Sequence, residues 1–286
     1  MIHPELETAF KGSVGLAVNQ NLNITPVSGG CIHQAYRLQT ERQSWFVKIS
    51  DATHAAMLET EAQALNVIRS TRTIRTPEVL ALDRFDNLVY LVLEWLDLAP
   101  LQASSGAELG RCLAEFHQVP VAQFGWDRDN FIGLTPQLNG WYSSWPEFFW
   151  EKRLTPQISA ARIRGLEIPQ EELCHAVMRE LTDHHVSPSW LHGDLWGGNA
   201  AVTLEGEAVI FDPALYAGDP ECDLAMTRLF GGFPTSFYRA YASVHPPTRG
   251  ADRRQNLYNL YHALNHFNLF GSSYQSMVLQ LVRLVI

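Results

Sequence analysis

The second half of the chain holds three polar side chains at the ends of short apolar runs. Residues 190–192 lead to Asp194 and then to Asn199, while residues 209–211 lead directly to Asp212. Short strands that end in this way hold two carboxylates and an amide in fixed positions. Magnesium prefers oxygen ligands of this kind, and a carboxylate beside a hydroxyl can accept its proton. The arrangement predicts phosphoryl transfer, with Asp194 as the base and Asn199 and Asp212 as metal ligands.

The spacing of these residues separates the pattern from a chance arrangement. An isolated Asp in a loop is usually a cap or turn residue. Here His192 stands two positions before Asp194, Asn199 five positions after it and Asp212 eighteen positions after it. This is the register of a kinase catalytic loop and its metal-binding Asp. We interpret His192 as a residue that positions the loop backbone, because Asp194 already serves as the base.

A short β-rich run in the first part of the chain carries a single lysine, Lys48. Burying an unpaired ammonium is costly, so this side chain must face a cavity, solvent or an anion. We interpret it as a lysine that contacts the phosphates of ATP and is oriented by a carboxylate on the next helix. Glu61 is the preferred carboxylate, ahead of Glu59, because it follows the apolar face of that helix.

Two further segments complete a predicted nucleotide site. Gly29 and Gly30 stand between two strand-like runs, which predicts a glycine hairpin that lies over phosphates and contacts them through backbone amides. The pattern GxxxxGK[ST] does not occur, which disfavours a P-loop NTPase. Glu94 and Leu96 end an apolar strand, where exposed backbone could hydrogen-bond an adenine edge. The alternative for Glu94 and Leu96 is a simple strand end.

Length and periodicity predict two lobes in an α+β fold. A chain of 286 residues is long enough for two substantial cores. Residues 1–95 predict an antiparallel sheet with one main helix, and residues 96–286 predict a mainly helical lobe interrupted by the motif strands. Residues 98–106 have the composition of a linker.

Composition and charge bear on partners and location. The formal net charge of −9 gives no general attraction for nucleic acids. No basic leader with an apolar stretch opens the chain, and the longest apolar run is broken by Glu94 and Asp97. The four cysteines are widely spaced and form no CxxC pair. We therefore expect a cytoplasmic protein without nucleic-acid or membrane partners.

Longer motifs extend along nearly the whole chain. They are SGG at 28–30, FVK at 46–48, EA at 61–62, QFGW at 123–126, NFIG at 130–133, WPEFF at 145–149, HGDLWGGN at 192–199, FDPA at 211–214, GDPECDLAM at 218–226 and LNHFNLFG at 264–271. With these motifs the chain resembles the fructosamine kinase (ketosamine-3-kinase) family, and it looks closest to the bacterial branch. That family lies within the larger group of aminoglycoside phosphotransferases and choline kinases.

The resemblance implies a protein-kinase-like two-lobe fold that uses ATP and Mg²⁺. It also implies phosphorylation of a sugar hydroxyl on a ketoamine, the adduct left when a sugar condenses with a small amine or a protein side chain. The step would belong to the repair of glycated amines. Pro220 departs from the family pattern, where many relatives carry Arg in a loop expected to border the acceptor.

An aromatic residue and a cluster of carboxylates are expected to contact the acceptor. Trp196, beside the base, could pack on a sugar face, although core packing would also explain it. Asp219 and Glu221 could bind a polyhydroxy or amine-bearing substrate, together with Asp223. The alternative is that Asp219 anchors its loop and Asp223 caps the following helix.

Two other functions stay open at this point. The acceptor could be another small alcohol, such as an aminoglycoside, choline or a homoserine-like compound. The chain could also be a nucleotide-binding regulatory protein without turnover, although every residue of the catalytic set is present.

Overall fold

The computed structural model of the chain describes residues 3–27 and 33–286. Its first part is a five-stranded antiparallel sheet in the order β1-β2-β3-β5-β4, with two helices packed against it. The elements are α1 Pro4–Ser13, β1 Asn23–Pro26, β2 Gln34–Gln39, β3 Ser44–Asp51, α2 Ala55–Thr71, β4 Val79–Phe85 and β5 Leu88–Glu94.

Side-chain alternation along β3 decides which way its lysine faces. Trp45, Val47 and Ile49 pack into the cluster beneath α1, while Phe46 packs into the cluster formed with α2. Successive side chains of a strand point to opposite faces, so Lys48 shares the face of Phe46 and is directed toward α2.

Helix α2 packs against both parts of the molecule. Leu58 and Leu65 contact the sheet, whereas Ala64 and Ile68 belong to a cluster that also contains Leu113 of the helical part. Helix α2 is therefore held from two sides. A side chain of α2 that lies between these two packed faces is held where the sheet meets the helical part.

The second part is mainly helical, with short strands between the helices. Its strands are β6 Leu98–Ala99, β7 Phe124–Trp126, β8 Asn130–Ile132, β9 Thr135–Gln137, β10 Gly140–Tyr142, β11 Ser189–Leu191, β12 Ala200–Thr203, β13 Ala208–Ile210 and β14 Tyr216–Gly218. Its helices are α3 Ala103–His117, α4 Trp145–Phe148, α5 Thr155–Ile163, α6 Gln170–Leu181, α7 Glu221–Leu229, α8 Thr235–Val244, α9 Ala251–Phe270 and α10 Gln275–Val285. A π-helical turn, Phe149–Leu154, joins α4 to α5.

The core of this part surrounds α9. This helix is buried on nearly all sides, packs against α5, α7 and α10, and contributes Leu260 and Leu264 to the centre of the largest apolar cluster. Strands β7, β10, β11 and β14 form one sheet, and β6, β12 and β13 form another. Both sheets contribute strands whose ends carry the motif residues.

The structure confirms the predicted fold class, a sheet lobe followed by a mainly helical lobe. The strands that flank the predicted glycine hairpin pair in antiparallel fashion, while Gly29 and Gly30 themselves lie outside the described residues. The first sheet ends at Glu94 and the next strand joins a different sheet. A division of the chain at residue 95 stays a prediction.

The prediction of a linker over residues 98–106 is wrong. Leu98–Ala99 pair with β12, and α3 begins at Ala103, where the hydroxyl of Ser105 accepts from the backbone N–H of Gln102. The glycine of this segment lies close to the start of α8: a Cβ on Gly106 would lie 3.1 Å from the Pro234 side chain and 3.2 Å from the hydroxyl of Ser236. Across the described residues, no helix combines the length and apolar character needed to cross a membrane.

The double packing of α2 makes a prediction about stability. Ile68 is fully buried between the two lobes, so Ile68→Ala should lower the free energy of unfolding by about 2–5 kcal/mol. Ile163 is 88% exposed, and Ile163→Ala should change that free energy by no more than about 0.5 kcal/mol. Urea unfolding of both variants measures the difference, and equal effects would contradict the assignment of Ile68 to the junction.

Candidate active site

A cleft of about 730 Å³ separates the sheet lobe from the helical lobe. Eight of the residues singled out from the sequence line it: Lys48, Glu61, Glu94, Leu96, Asp194, Trp196, Asn199 and Asp212. Residues from distant parts of the chain thus converge on one cavity.

Lys48 occupies the centre of the cleft and contacts a carboxylate from each lobe. Its Nζ donates to Oε1 of Glu61 at 2.7 Å and to Oδ1 of Asp212 at 2.5 Å. Burial opposes the charge, but the Asp212 and Glu61 carboxylates raise the pKa of Lys48 above its usual value. The side chain is therefore a fixed ammonium.

The two glutamates of α2 face different ways, as the sequence predicts. Glu61 is buried on the cleft side, and burial raises the pKa of its carboxyl while the Lys48 charge opposes that rise. Glu59 instead pairs with Arg84 at 2.7 Å on an exposed surface. The lysine therefore pairs with Glu61.

The loop after β11 carries Asp194 and is fixed by His192. The backbone N–H of Asp194 donates to Nδ1 of His192 at 3.3 Å, and the Nε2–H of that ring donates to the carbonyl of Phe211 at 2.9 Å. Burial lowers the pKa of His192, which agrees with a neutral ring in this tautomer. The ring joins the loop to the strand end before Asp212, in the positioning role expected for it.

Gly193 allows the loop to approach its neighbour closely. Its φ is +81°, and a Cβ at this position would lie 2.1 Å from the carbonyl oxygen of Ala214. Only glycine fits both the backbone conformation and the space.

The carboxyl group of Asp194 holds its proton unusually strongly. Burial raises its pKa to about 7, and the charges of Asp212 and Asp223 act in the same direction, against the hydrogen bond from Asn199. A carboxyl group with a pKa near neutrality is well matched to general base catalysis.

The two predicted metal ligands present oxygen atoms beside Asp194. The Nδ2 of Asn199 donates to the Asp194 backbone carbonyl at 2.9 Å, and in the described chain no donor reaches its Oδ1. Asp212 has a φ of +57°, uncommon for a residue with a Cβ, and its side chain is half exposed to the cleft. An amide oxygen and a carboxylate are a donor set that fits Mg²⁺.

At the strand end predicted to contact adenine, Glu94 and Leu96 differ in whether their polar groups are already hydrogen-bonded within the protein. The Glu94 carboxylate turns toward Arg75, at 2.7 Å, and the Glu94 backbone N–H donates to the carbonyl of Glu78 at 2.9 Å. Both groups are therefore already bonded. Leu96 also lines the cleft, and its backbone N–H donates to no acceptor in the described part of the chain.

Asp219 and Glu221 do not line the cleft, contrary to the expectation that they contact the acceptor. They border a separate cavity of about 280 Å³ beside α7. Asp219 is buried and accepts hydrogen bonds from His184 at 2.7 Å, Tyr258 at 2.5 Å and the backbone N–H of Glu221 at 3.0 Å. Glu221 forms a two-point ion pair with Arg254 at 2.7 and 2.8 Å. Both carboxylates are hydrogen-bonded to other residues of the protein. For Asp219 this agrees with the alternative interpretation, in which it anchors its loop.

Asp223 has a role that the sequence did not reveal. It does not cap α7; its two carboxylate oxygens accept from the backbone N–H groups of His192 and Gly193, at 2.7 and 2.9 Å. His117 contacts it at 3.2 Å. Burial opposes the Asp223 charge, but His117 and these hydrogen bonds lower the pKa of the carboxyl. Asp223 therefore holds the loop that carries Asp194, through contacts that span about thirty residues of sequence and leave no local signal.

Trp196 lies at the mouth of the cleft beside Asp194. The residue is 40% exposed, and its ring lies against Gly198, where a Cβ would lie 2.3 Å from the ring. An exposed indole at the cleft offers apolar surface to a ligand.

The two-lobe fold, with its cleft and a lysine held by a carboxylate from each lobe, is that of a kinase-like phosphotransferase. The sequence profile of the fructosamine kinase family matches residues 8–286. The chain belongs to the fructosamine kinase family.

Individual relatives agree with this assignment. The chain is 46% identical over 259 residues to a probable ketoamine kinase of Synechocystis sp., covering 90% of this chain and 88% of that protein. It is 40% identical over 270 residues to the chloroplastic protein-ribulosamine 3-kinase of Arabidopsis thaliana, covering 92% and 82%.

Solved structures agree as well. A candidate fructosamine-3-kinase from Haemophilus somnus superposes with a TM-score of 0.90 at 28% identity, over 98% of this chain and 96% of that one. An aminoglycoside phosphotransferase solved with ADP and hygromycin B, at 14% identity and a TM-score of 0.68, shares the fold.

The environment of Asp194 predicts its titration in the metal-free protein. Because the pKa of this carboxyl is raised to about 7, it should be protonated below neutral pH and act as a base only above it. Carbon-detected NMR of the side-chain carboxyls should show a group titrating near pH 7 that disappears in Asp194→Asn. Asp212→Asn should move that titration to lower pH, because it removes a neighbouring negative charge. An unchanged titration in Asp212→Asn would contradict this account.

Proposed function

We propose that the protein transfers the γ-phosphate of ATP to a sugar hydroxyl of a ketoamine of the fructosamine or ribulosamine type. The observation that carries the proposal is the position of Lys48, between Glu61 of one lobe and Asp212 of the other, in the cleft that also holds Asp194. The names of the relatives from Synechocystis and Arabidopsis support the choice of acceptor.

The residues singled out from the sequence each have a task in this reaction. Lys48, oriented by Glu61, binds the phosphates of ATP, and the backbone around Gly29, Gly30, Glu94 and Leu96 contacts the rest of the nucleotide. Asn199 and Asp212 would hold Mg²⁺ through their side-chain oxygens, and the bound ion would supply positive charge next to the transferred phosphoryl group.

Asp194 acts on the acceptor. Its carboxylate accepts the hydroxyl proton as the hydroxyl oxygen forms a bond to the γ-phosphorus, and the bond to the β-phosphate oxygen breaks to leave ADP. Asp223 and His192 hold the loop so that this carboxylate faces the cleft.

The chemistry of the cleft suits a ketoamine. The exposed face of Trp196 can pack against a sugar ring, and the amine of a ketoamine carries a positive charge that the carboxylates of Asp194 and Asp212 attract. The same features fit a sugar linked to a small amine or to a protein side chain.

A cytoplasmic location, and the absence of nucleic-acid and membrane partners, stay predictions.

Transfer of labelled phosphate from ATP tests the proposal. Glycated amines and glycated amino acids are the acceptors to be tested. Aminoglycosides, choline and homoserine are included as rival acceptors, and the phosphorylated position of each product is mapped. We expect a ketoamine phosphorylated on its sugar. Asp194→Asn should lower turnover by about a hundredfold or more, as for a lost base, while nucleotide affinity stays near that of the wild type. Full activity of this variant, or transfer to none of the ketoamines, would refute the proposal.

The two glutamates of α2 provide a matched pair of variants for the nucleotide site. Glu61→Gln removes the buried partner of Lys48 and should lower kcat/KM for ATP by about tenfold or more, since one charge-assisted hydrogen bond is worth about 1.5–3 kcal/mol. Glu59→Gln makes the same chemical change at the exposed pair with Arg84 and should leave kcat/KM within about twofold. Equal effects of the two substitutions would contradict the role of Glu61.

A further inference from the structure

A buried arginine lies beneath the cleft without a carboxylate to balance it. Arg153 belongs to the π-helical turn Phe149–Leu154, and its side chain is completely buried. In the part of the chain that the structure describes, it forms no ion pair. Burying a charge without a counter-charge is unfavourable, and π-helical turns occur often at functional sites. The burial of the Arg153 charge at this position therefore indicates a functional role for the residue.

The guanidinium of Arg153 joins a hairpin to the sheet beneath the cleft. One nitrogen donates to the carbonyl of Leu138 at 2.6 Å, and another donates to Oδ1 of Asn139 at 2.8 Å. Its carbon lies 3.9 Å from the centre of the Tyr216 ring and 4.6 Å from that of Phe148. The charge is thus stabilised by neutral oxygens and by aromatic faces.

The hairpin formed by β8 and β9, together with Leu138 and Asn139, carries three buried amide side chains that bond to one another. Oδ1 of Asn130 accepts from Nε2 of Gln137 and from Nδ2 of Asn139, each at 2.9 Å. Asn139 is also the residue that Arg153 contacts. The guanidinium therefore fixes one end of a connected polar network.

The other end of this network reaches the loop of the metal ligand. Nε2 of Gln137 donates to the carbonyl of Ala214 at 3.0 Å, and Nδ2 of Asn130 donates to the carbonyl of Leu215 at 2.9 Å. These carbonyls stand two and three positions after Asp212. The backbone N–H of Ala214 in turn donates to the carbonyl of His192 at 2.8 Å.

We propose that Arg153 is a positioning residue for Asp212. It holds the hairpin so that the Asn130 and Gln137 amides fix the backbone after Asp212, whose φ of +57° requires support from outside the loop. Metal sites depend on such outer contacts, whose loss lowers metal affinity by about 10–100-fold. The inference rests on the proposed metal-binding role of Asp212.

Nucleotide binding with and without magnesium separates this role from a purely structural one. Calorimetry on the full chain gives the Kd of ADP in excess Mg²⁺ and in chelator, at a temperature where every variant is folded. The wild type should bind ADP more tightly with Mg²⁺. Arg153→Met should reduce this magnesium enhancement by about tenfold, with the Kd in chelator within about twofold of the wild-type value.

Control variants exclude a general loss of stability. Arg254 is also a buried arginine of the helical lobe, but the hydrogen bonds of its side chain in the described chain go to Glu221, Thr248 and Arg249, and none goes to the loop after Asp212. Arg254→Met should lower Tm and leave the magnesium enhancement unchanged. Arg153→Lys keeps the charge but loses the two-nitrogen fork, so its enhancement should lie between those of wild type and Arg153→Met.

Each outcome decides the proposal. A lowered Tm for Arg153→Met with a normal magnesium enhancement would assign Arg153 to stability alone and overturn the inference. If Arg153→Met does not fold, Gln137→Met takes its place, because it removes the donor to the Ala214 carbonyl. This variant should show the reduced magnesium enhancement, and a normal magnesium enhancement would overturn the inference. If the wild type shows no magnesium enhancement, the metal-binding role proposed for Asp212 fails first and the inference with it.

Discussion

The ammonium of Lys48 between Glu61 and Asp212 is the contact on which the arrangement of the cleft depends. It joins a strand and a helix of the sheet lobe to the residue that follows β13 in the helical lobe, Asp212. Lys48 and Glu61 are both buried, so loss of the lysine would leave the Glu61 carboxylate without a counter-charge in a buried place. The alternation of β3 turns Lys48 toward α2, and the double packing of α2 holds Glu61 within reach.

In the helical lobe, three carboxylates lie close together and must be held there against their mutual repulsion. Asp194, Asp212 and Asp223 would repel one another, and their positions are maintained by backbone N–H groups, by His192 and by the Lys48 ammonium. The same repulsion, added to burial, raises the pKa of Asp194 toward neutrality. The contacts that order the loop thus also set the proton affinity of the proposed base.

Sequence patterns predicted the parts of this site whose signals are local. The spacing from His192 to Asp212 and the single lysine in a β-rich run depend on short-range geometry, and helical periodicity separated Glu61 from Glu59. The structure brings Lys48 and Glu61 together as that reasoning expects.

Patterns failed where the deciding contacts lie far apart along the chain. The clustered carboxylates of the loop at 218–223 suggested acceptor binding, but Asp219 and Glu221 are bonded to residues from other elements. Small residues at 98–106 suggested a linker, but Leu98–Ala99 pair with β12 and Gly106 of α3 lies close to Pro234 and Ser236 at the start of α8. Asp223 and Arg153 act through partners that no local pattern could reveal.

A crystal structure of the protein with ADP, Mg²⁺ and a ketoamine tests the central claim most directly. The account predicts the metal on oxygens of Asn199 and Asp212, and a sugar hydroxyl at hydrogen-bond distance from the Asp194 carboxylate, about 2.6–3.2 Å. A ketoamine bound in the cavity beside Asp219 and Glu221, or a metal held without Asp212, would contradict it.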